Sequence, residues 1–139
     1  MLNNIPKILT GDLLKALCDM GHGDKLVIAD GNFPANSISD NVINYPGIDA
    51  VTLTQAILEL FPLDSYSNCA YIMDLTDSDK QKGMKDPEIW KQFEEVLDFN
   101  PIKLERYEFY ERSKKAYVIV QTGEQRQYGN LILVKGVVK

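Results

Sequence analysis

The strongest constraint on the fold is a set of short, continuous apolar runs separated by segments with helical periodicity. Such runs lack the polar alternation of a half-exposed strand and are typical of strands covered on both faces of a sheet. Polar residues and turn signals bound each run, as expected for strands. The expected strands are Leu26–Ala29, Ala70–Leu75, Tyr117–Val120 and Leu131–Val134, with a shorter one at Lys103–Arg106.

Amphipathic helices are expected between these runs, because apolar residues recur there at three- and four-residue spacing. Thr10 caps the first, which ends near Gly21; Pro62 stops the second, and Asp86-Pro87 begins the third. Helices are expected at Thr52–Phe61 and Phe109–Ala116. Loops or turns are expected at Phe33-Pro34 and Tyr45-Pro46-Gly47. The expected inward side chains are Leu13, Leu14, Leu17 and Cys18, then Leu53, Ile57 and Leu60, then Ile89, Trp90, Phe93, Val96 and Leu97.

Strands that alternate with helices predict an α/β fold, a three-layer α/β/α sandwich with a mostly parallel sheet. The length of 139 residues fits one domain, residues 1–139, with a normal core. The last two expected strands are joined by too few residues for a helical crossover. That pair is therefore expected to be antiparallel or otherwise irregular.

Composition excludes several classes of partner. A formal net charge of -5 argues against nucleic acid, because phosphate binding depends on clustered Lys and Arg. No apolar stretch approaches the roughly 18 residues of a membrane span, and the N-terminus lacks the pattern of a signal peptide.

Cys18 and Cys69 are far apart, so we expect free thiols in a cytoplasmic protein. With a single histidine, no metal site is expected.

That histidine, His22, lies between Gly21 and Gly23 at the end of the first expected helix. Among side chains, histidine has an unperturbed pKa of about 6.5, which allows it to give and take protons near neutrality. Flanking glycines give a small molecule close access to the ring. The same residues also have a structural explanation. A glycine after a helix commonly adopts the left-handed conformation that ends it, and a histidine nearby interacts favourably with the helix dipole.

Several separated motifs together resemble the RbsD/FucU sugar mutarotases over about residues 1–138. Ribose-type members resemble the chain at fewer positions, and Phe33 with the stretch Arg106–Arg112 favours the fucose branch. Asn32 and Asn36 stand where close relatives of that branch often have histidine. The motifs that carry the resemblance are Gly21-His22-Gly23-Asp24, Asp30, Phe33-Pro34-Ala35, Phe109-Tyr110-Glu111-Arg112, Thr122-Gly123-Glu124 and Tyr128-Gly129-Asn130.

The resemblance implies a role for five residues. His22 matches the family's catalytic histidine, and the sugar-binding positions match Asp30, Arg106, Tyr128 and Asn130. Each has an ordinary structural alternative: a turn residue after a strand for Asp30, and a surface ion pair with Glu105 or Glu108 for Arg106. Tyr128-Gly129-Asn130 reads equally as a simple turn.

The resemblance also implies the reaction. A fucose-type member interconverts the α and β anomers of L-fucose by general acid/base catalysis without a cofactor. Because a catalytic imidazole needs an orienting partner, we expect Asp24 or Asp30 to hold His22. Phe33 is a candidate cover for the methyl group of the sugar. The alternatives are ribose pyranase-like activity and a non-catalytic monosaccharide-binding module. The family forms homo-oligomeric rings, commonly decamers, with sugar bound between subunits, so Tyr128 is expected to complete a neighbour's pocket that contains His22.

Overall fold

All strands of the protein belong to one six-stranded sheet, described here from a computed structural model of residues 1–139. In chain order, the elements are α1 Gly11–Asp19, β1 Lys25–Ala29, α2 Ala35–Ile38, β2 Val42–Tyr45, α3 Ala50–Leu58, β3 Ala70–Met73, α4 Asp77–Gln81, α5 Glu88–Leu97, β4 Ile102–Leu104, α6 Arg106–Lys114, β5 Val118–Thr122 and β6 Leu131–Val134. The strand order is β2-β5-β1-β6-β3-β4.

The sheet is mostly parallel, as expected. Strand β6 alone runs against its neighbours, pairing antiparallel with β1 on one side and with β3 on the other. The other pairings, β2 with β5, β5 with β1 and β3 with β4, are parallel. As expected, β5 and β6 run in opposite directions, but they are not hydrogen-bonded neighbours, since β1 lies between them. The short connection is possible because β6 reverses direction beside β1.

Helices cover both faces of the sheet, which confirms the three-layer α/β/α sandwich. Alternate strand residues such as Leu26 and Ile28 pack against α1, α3 and α5, whereas Val27 and Ala29 face α2 and α6. These four β1 side chains are all fully buried. The continuous apolar runs therefore arise because each strand must satisfy two cores at once.

Several element bounds and faces differ from the sequence predictions. The strand at Lys103–Arg106 is Ile102–Leu104, and the fourth expected helix begins at Arg106 rather than Phe109. The helix expected at Thr52–Phe61 begins at Ala50, and Asp49 caps it. Tyr45 ends an edge strand instead of lying in a turn. Cys18 and Leu60 are exposed, while Leu14 and Val96 are half-buried.

No helix has the length and apolarity required to cross a lipid bilayer.

Candidate active site

A cavity of about 350 Å³ opens at the edge of the sheet where the parallel strands end. Asp30 directly follows β1, Met73 ends β3, and Arg106 comes two residues after β4. Because β6 is antiparallel, its preceding residue Asn130 lies at this same edge. We call this space the carboxyl-edge cavity; its lining residues are Asp30, Asn32, Phe33, Met73, Thr76, Asp79, Arg106, Tyr110, Gln127, Tyr128 and Asn130.

Asp30 and Asn130 hold each other at the base of the cavity. The backbone N–H of Asp30 donates to Asn130 Oδ1 at 2.8 Å, and Asn130 Nδ2 donates to Asp30 Oδ2 at 3.1 Å. The backbone N–H of Asn32 donates to Asp30 Oδ1 at 3.0 Å. Burial raises the pKa of the Asp30 carboxyl, and the hydrogen bonds from Asn32 and Asn130 oppose that rise. Asp30 is thus an Asx-type turn residue and, at the same time, a fixed polar group of the cavity.

Arg106 supplies a cation to the cavity wall. Its Nε donates to the Tyr110 hydroxyl at 3.2 Å, one turn further along α6, and this hydrogen bond raises the Arg106 pKa. The guanidinium also lies 5.4 Å from the ring centroid of Tyr110. The alternative of an ion pair with Glu105 or Glu108 is wrong, because Glu105 caps α6 and Glu108 binds Arg112 at 2.9 Å. The guanidinium is therefore available to a ligand.

Tyr128 is fixed at both its backbone and its hydroxyl. Its φ of 62° lies in the left-handed region, which is uncommon for a residue with a large side chain. Its carbonyl accepts a hydrogen bond from Trp90 Nε1 at 3.2 Å. The hydroxyl accepts from the backbone N–H of Thr76 at 3.2 Å and donates to the Asp79 carboxylate. Tyr128 does lie in a turn, but the turn is built so that its side chain lines the cavity.

The loop that carries Tyr128 is anchored against the rest of the protein. A Cβ on Gly123 would lie 2.0 Å from the Pro46 carbonyl oxygen, so only glycine fits this close approach. Glu124 is 4% exposed and binds Arg126 with Nη2 at 3.0 Å from Oε1. The Thr122-Gly123-Glu124 motif therefore fixes the loop position rather than contacting the cavity itself.

Phe33 and Asn32 also line the cavity, whereas Asn36 does not. Phe33 lines the cavity but is only 4% exposed, with its ring edge-to-face against Phe109 and Tyr110. Asn32 also lines the cavity, whereas Asn36 is exposed on α2 and is not part of the lining. Of the two asparagines, only Asn32 lines the cavity.

His22 lies at the opposite edge of the sheet. The chain reaches it after α1, which ends on an extended Met20 instead of a left-handed glycine. Gly23 is the residue with positive φ, at 88°, and its N–H donates to the Lys135 carbonyl just after β6. The His22 side chain is 45% exposed. The Gly-His-Gly turn thus presents the imidazole to the outside of the chain.

Asp64 holds the His22 ring, in place of the expected Asp24 or Asp30. The distance from His22 Nε2 to Asp64 Oδ1 is 3.0 Å. The hydroxyl of Ser67, the N–H of Tyr66 and the His22 ring lower the Asp64 pKa to about 2, so this carboxylate accepts the Nε2 proton. The neutral imidazole then carries its free lone pair on Nδ1. Asp24 is occupied elsewhere, accepting from the Gly21 N–H at 2.7 Å.

The structure therefore brings together four of the five expected site residues and separates the fifth. Asp30, Arg106, Tyr128 and Asn130 all line the carboxyl-edge cavity. His22 precedes the start of β1, whereas Asp30 follows its end. Five strand residues span about 16 Å at the usual rise of about 3.3 Å per residue. The His22 of one chain thus lies far from the cavity of that same chain.

Sequence reasoning missed four polar groups that the structure places around these residues. Asp64 lies 42 positions from His22, so no local spacing points to the contact. Thr76 and Asp79 belong to the start of α4, a short helix without buried side chains. Tyr110 belongs to the Phe109–Arg112 motif, so the sequence did contain a sign of its importance. Helical spacing from Arg106 to Tyr110 would have indicated their contact.

The fold and cavity define a class of protein that binds a small, polyhydroxylated molecule. Carboxylate, amide, hydroxyl and guanidinium side chains converge on one space large enough for a single sugar ring. The family described as the RbsD / FucU transport protein family matches residues 3–138. The chain belongs to this family.

Relatives named as fucose mutarotases are similar over nearly the whole length. The chain is 49% identical to "Fucose mutarotase" of Danio rerio, over 99% of this chain and 95% of that protein. It is 49% identical to "Fucose mutarotase" of Mus musculus, over 97% and 94% respectively. The crystal structure of the fucose mutarotase from Streptococcus pneumoniae in complex with L-fucose superposes with a TM-score of 0.92, at 41% identity, covering 99% of this chain and 100% of that one.

Proposed function

We propose that this protein is an L-fucose mutarotase, which interconverts the α and β anomers of L-fucose by general acid/base catalysis without a cofactor. The observation that carries the proposal is the convergence of Asp30, Arg106, Tyr128 and Asn130 on one cavity. These side chains are distant in sequence, yet they are the positions at which the chain resembles fucose-type mutarotases. Relatives of that name span almost the whole chain, and one of them is known with L-fucose bound.

The cavity suits the sugar by its balance of donors and acceptors. The Asp30 carboxylate accepts sugar hydroxyls, Arg106 donates, and the Asn130 amide is able to do both. Mutarotation opens the hemiacetal by placing a proton on the ring oxygen and removing one from the anomeric hydroxyl. Reclosure on the other face completes the exchange. This step needs a positioned group that gives and takes protons near neutrality, and His22 is the single histidine of the chain.

His22 is proposed to act in the cavity of a neighbouring subunit. Within one chain it lies at the opposite edge of the sheet, and its ring is presented outward by the Gly21–Gly23 turn. A homo-oligomeric ring, which we propose to be a decamer, would bring the ring of one copy to the Asp30 side of the next. Such an arrangement makes a deep site from a small chain. In it, residues 1–139 act as one catalytic domain.

We place the reaction in the cytoplasm. Cys18 and Cys69 are free thiols, which is typical of a reducing compartment. The proposed partners are the sugar and other copies of this chain. Nucleic acid is not proposed, because the net charge is -5.

Saturation-transfer NMR at anomeric equilibrium tests the proposal directly. One anomer of L-fucose is saturated, and transfer to the other is measured with and without protein. Faster exchange for L-fucose and not for D-ribose is the expected result. Faster exchange for D-ribose alone would assign a ribose pyranase-like activity instead. Binding of L-fucose without faster exchange would make the protein a monosaccharide-binding module.

A further inference from the structure

Asp79 is a carboxylate in the cavity wall that the proposed mechanism does not use. It lies in the first turn of α4 and lines the carboxyl-edge cavity beside Tyr128. It accepts the hydrogen bond of the Tyr128 hydroxyl, across 49 positions of sequence. Its own N–H donates to Thr76 Oγ1 at 3.2 Å, which fixes the start of α4 against the same tyrosine. The contact is therefore held from two sides.

These contacts determine what the Tyr128 hydroxyl has left to offer a ligand. A phenol has one proton to donate and two lone pairs to accept with. The proton is directed to Asp79, and one lone pair accepts the Thr76 N–H at 3.2 Å. One acceptor lone pair remains. A tyrosine hydroxyl without such a partner would be able to rotate and donate its proton to a ligand. The Asp79 carboxylate prevents this by accepting the proton itself.

We propose that Asp79 is a positioning residue that fixes the Tyr128 hydroxyl as a hydrogen-bond acceptor for a sugar hydroxyl. This inference rests on the proposed function and deepens it. It excludes Tyr128 as the donor of a proton to the sugar ring oxygen, because its proton is held by a carboxylate in the ground state. It also gives α4 a role in sugar recognition, although none of its side chains is buried.

A double-mutant cycle between Asp79 and Tyr128 tests the proposal. The variants are Asp79→Ala, Tyr128→Phe and the double variant, and the readouts are L-fucose affinity by calorimetry and the exchange rate as a function of sugar concentration. Asp79→Ala is expected to weaken affinity about tenfold, which corresponds to about 1.4 kcal/mol. In the Tyr128→Phe background, Asp79→Ala is expected to weaken L-fucose affinity less than about twofold. A difference of that size is no larger than the usual deviation from additivity between independent sites.

Two further variants separate positioning from general damage. Asp79→Asn keeps an oxygen that accepts the phenol proton, so it is expected to retain most of the affinity that Asp79→Ala loses. Asp77→Ala removes an exposed carboxylate from the same first turn and is expected to leave affinity unchanged. The half-maximal sugar concentration is expected to rise in Asp79→Ala more than the saturated rate falls. If Asp79 had a purely structural role, Asp79→Ala would lower the melting temperature without raising the half-maximal sugar concentration more than it lowers the saturated rate.

An equal loss of affinity in both backgrounds would overturn the proposal, since Asp79 would then act on the sugar directly or through the fold. A sugar-free measurement keeps the inference separate from the proposed function. With ring-labelled tyrosine, Asp79→Ala is expected to shift the Tyr128 Cζ resonance, and Asp77→Ala is not. Wild-type protein that neither binds nor interconverts L-fucose would refute the proposed function. An unshifted Cζ resonance would refute the role of Asp79.

Discussion

His22 Nε2 and Asp64 Oδ1 lie 3.0 Å apart, which joins the turn after α1 to the loop after α3. Both segments are also tied to the end of β6: the Gly23 N–H donates to Lys135, and the Asp64 N–H donates to Val134. The dyad is therefore held by the sheet and not by the two loops alone. An imidazole fixed through Nε2 has one orientation and one free nitrogen, which is the requirement for directed proton transfer.

His22→Ala should abolish accelerated anomer exchange while the protein stays folded. A positioned acid or base contributes about 10² to 10⁴-fold, and no second histidine is present to replace it. The side chain is 45% exposed, so its loss leaves the apolar core untouched. Saturation-transfer NMR measures the rate, and a melting curve checks the fold. Full activity in a folded variant would remove His22 from the mechanism.

Asp64→Asn should lower the exchange rate about tenfold or more, because a charge-assisted hydrogen bond that orients the ring is replaced by a neutral one. The Asn side chain also offers an N–H₂ group, which allows the imidazole to adopt the other tautomer. The Ser67→Ala variant is a matched control: it removes a neighbour of Asp64 at 2.7 Å but leaves the carboxylate in contact with His22. We expect Ser67→Ala to be milder than Asp64→Asn, and the reverse order would contradict the dyad.

The same carboxylate predicts how stability depends on acid. The folded pKa of Asp64 is about 2, below its ordinary value of 3.8, so its charge stabilises the fold fully above about pH 4. This contribution is lost as the pH falls through 2. In urea denaturation, the advantage of wild type over Asp64→Asn should therefore shrink between about pH 4 and pH 2. An advantage that stays constant over this window would show that the Asp64 charge does not stabilise the fold.

Asp30→Asn should weaken L-fucose binding about tenfold to a hundredfold, because a charged acceptor of sugar hydroxyls is lost. Its stability should change with pH in the opposite sense to Asp64→Asn. Burial raises the Asp30 pKa above 3.8, so ionising it costs stability as pH rises through and above that value. Relative to wild type, Asp30→Asn should thus gain stability over that interval. Calorimetry measures the affinity, and urea denaturation at several pH values measures the stability.

The sequence predicted the layers of this fold better than its edges. Central strands such as Leu26–Ala29 are buried on both faces, so their apolar runs are unambiguous. The edge strand Val42–Tyr45 is half-exposed and includes Asn44, and it precedes Pro46, so it resembles a turn. Helix α4 has no buried side chain and therefore no apolar period to detect. Strand pairing was also hidden, because β6 inserts between β1 and β3 by long-range contacts alone.

The candidate site also has features that the sequence predicted and features that it did not. Asp30 follows a central strand, so its position at the carboxyl edge was predictable from the rule for open α/β sheets. The partner of His22 was not predictable, because the Asp64 loop reaches it only through the folded sheet. The separation of His22 from Asp30 was predictable in part: the segment between them contains the whole of β1.

That separation leads to the most discriminating prediction, a complementation between His22→Ala and Asp30→Asn at an L-fucose concentration too low for Asp30→Asn to bind well. His22→Ala retains an intact cavity, and Asp30→Asn retains an intact imidazole. If each site combines His22 from one copy with Asp30 from another, randomly mixed oligomers contain about one quarter native sites, since each half is native in about half of the copies. At that concentration, co-expressed variants should show about a quarter of wild-type exchange per site, whereas His22→Ala alone is inactive and Asp30→Asn alone retains at most about a tenth. Subunits mixed after folding, without exchange between oligomers, provide the control and should show no more than the average of the two variants. Co-expressed oligomers of verified mixed composition that also show no more than this average would mean that both residues serve one chain's site, and the shared cavity would have to be abandoned.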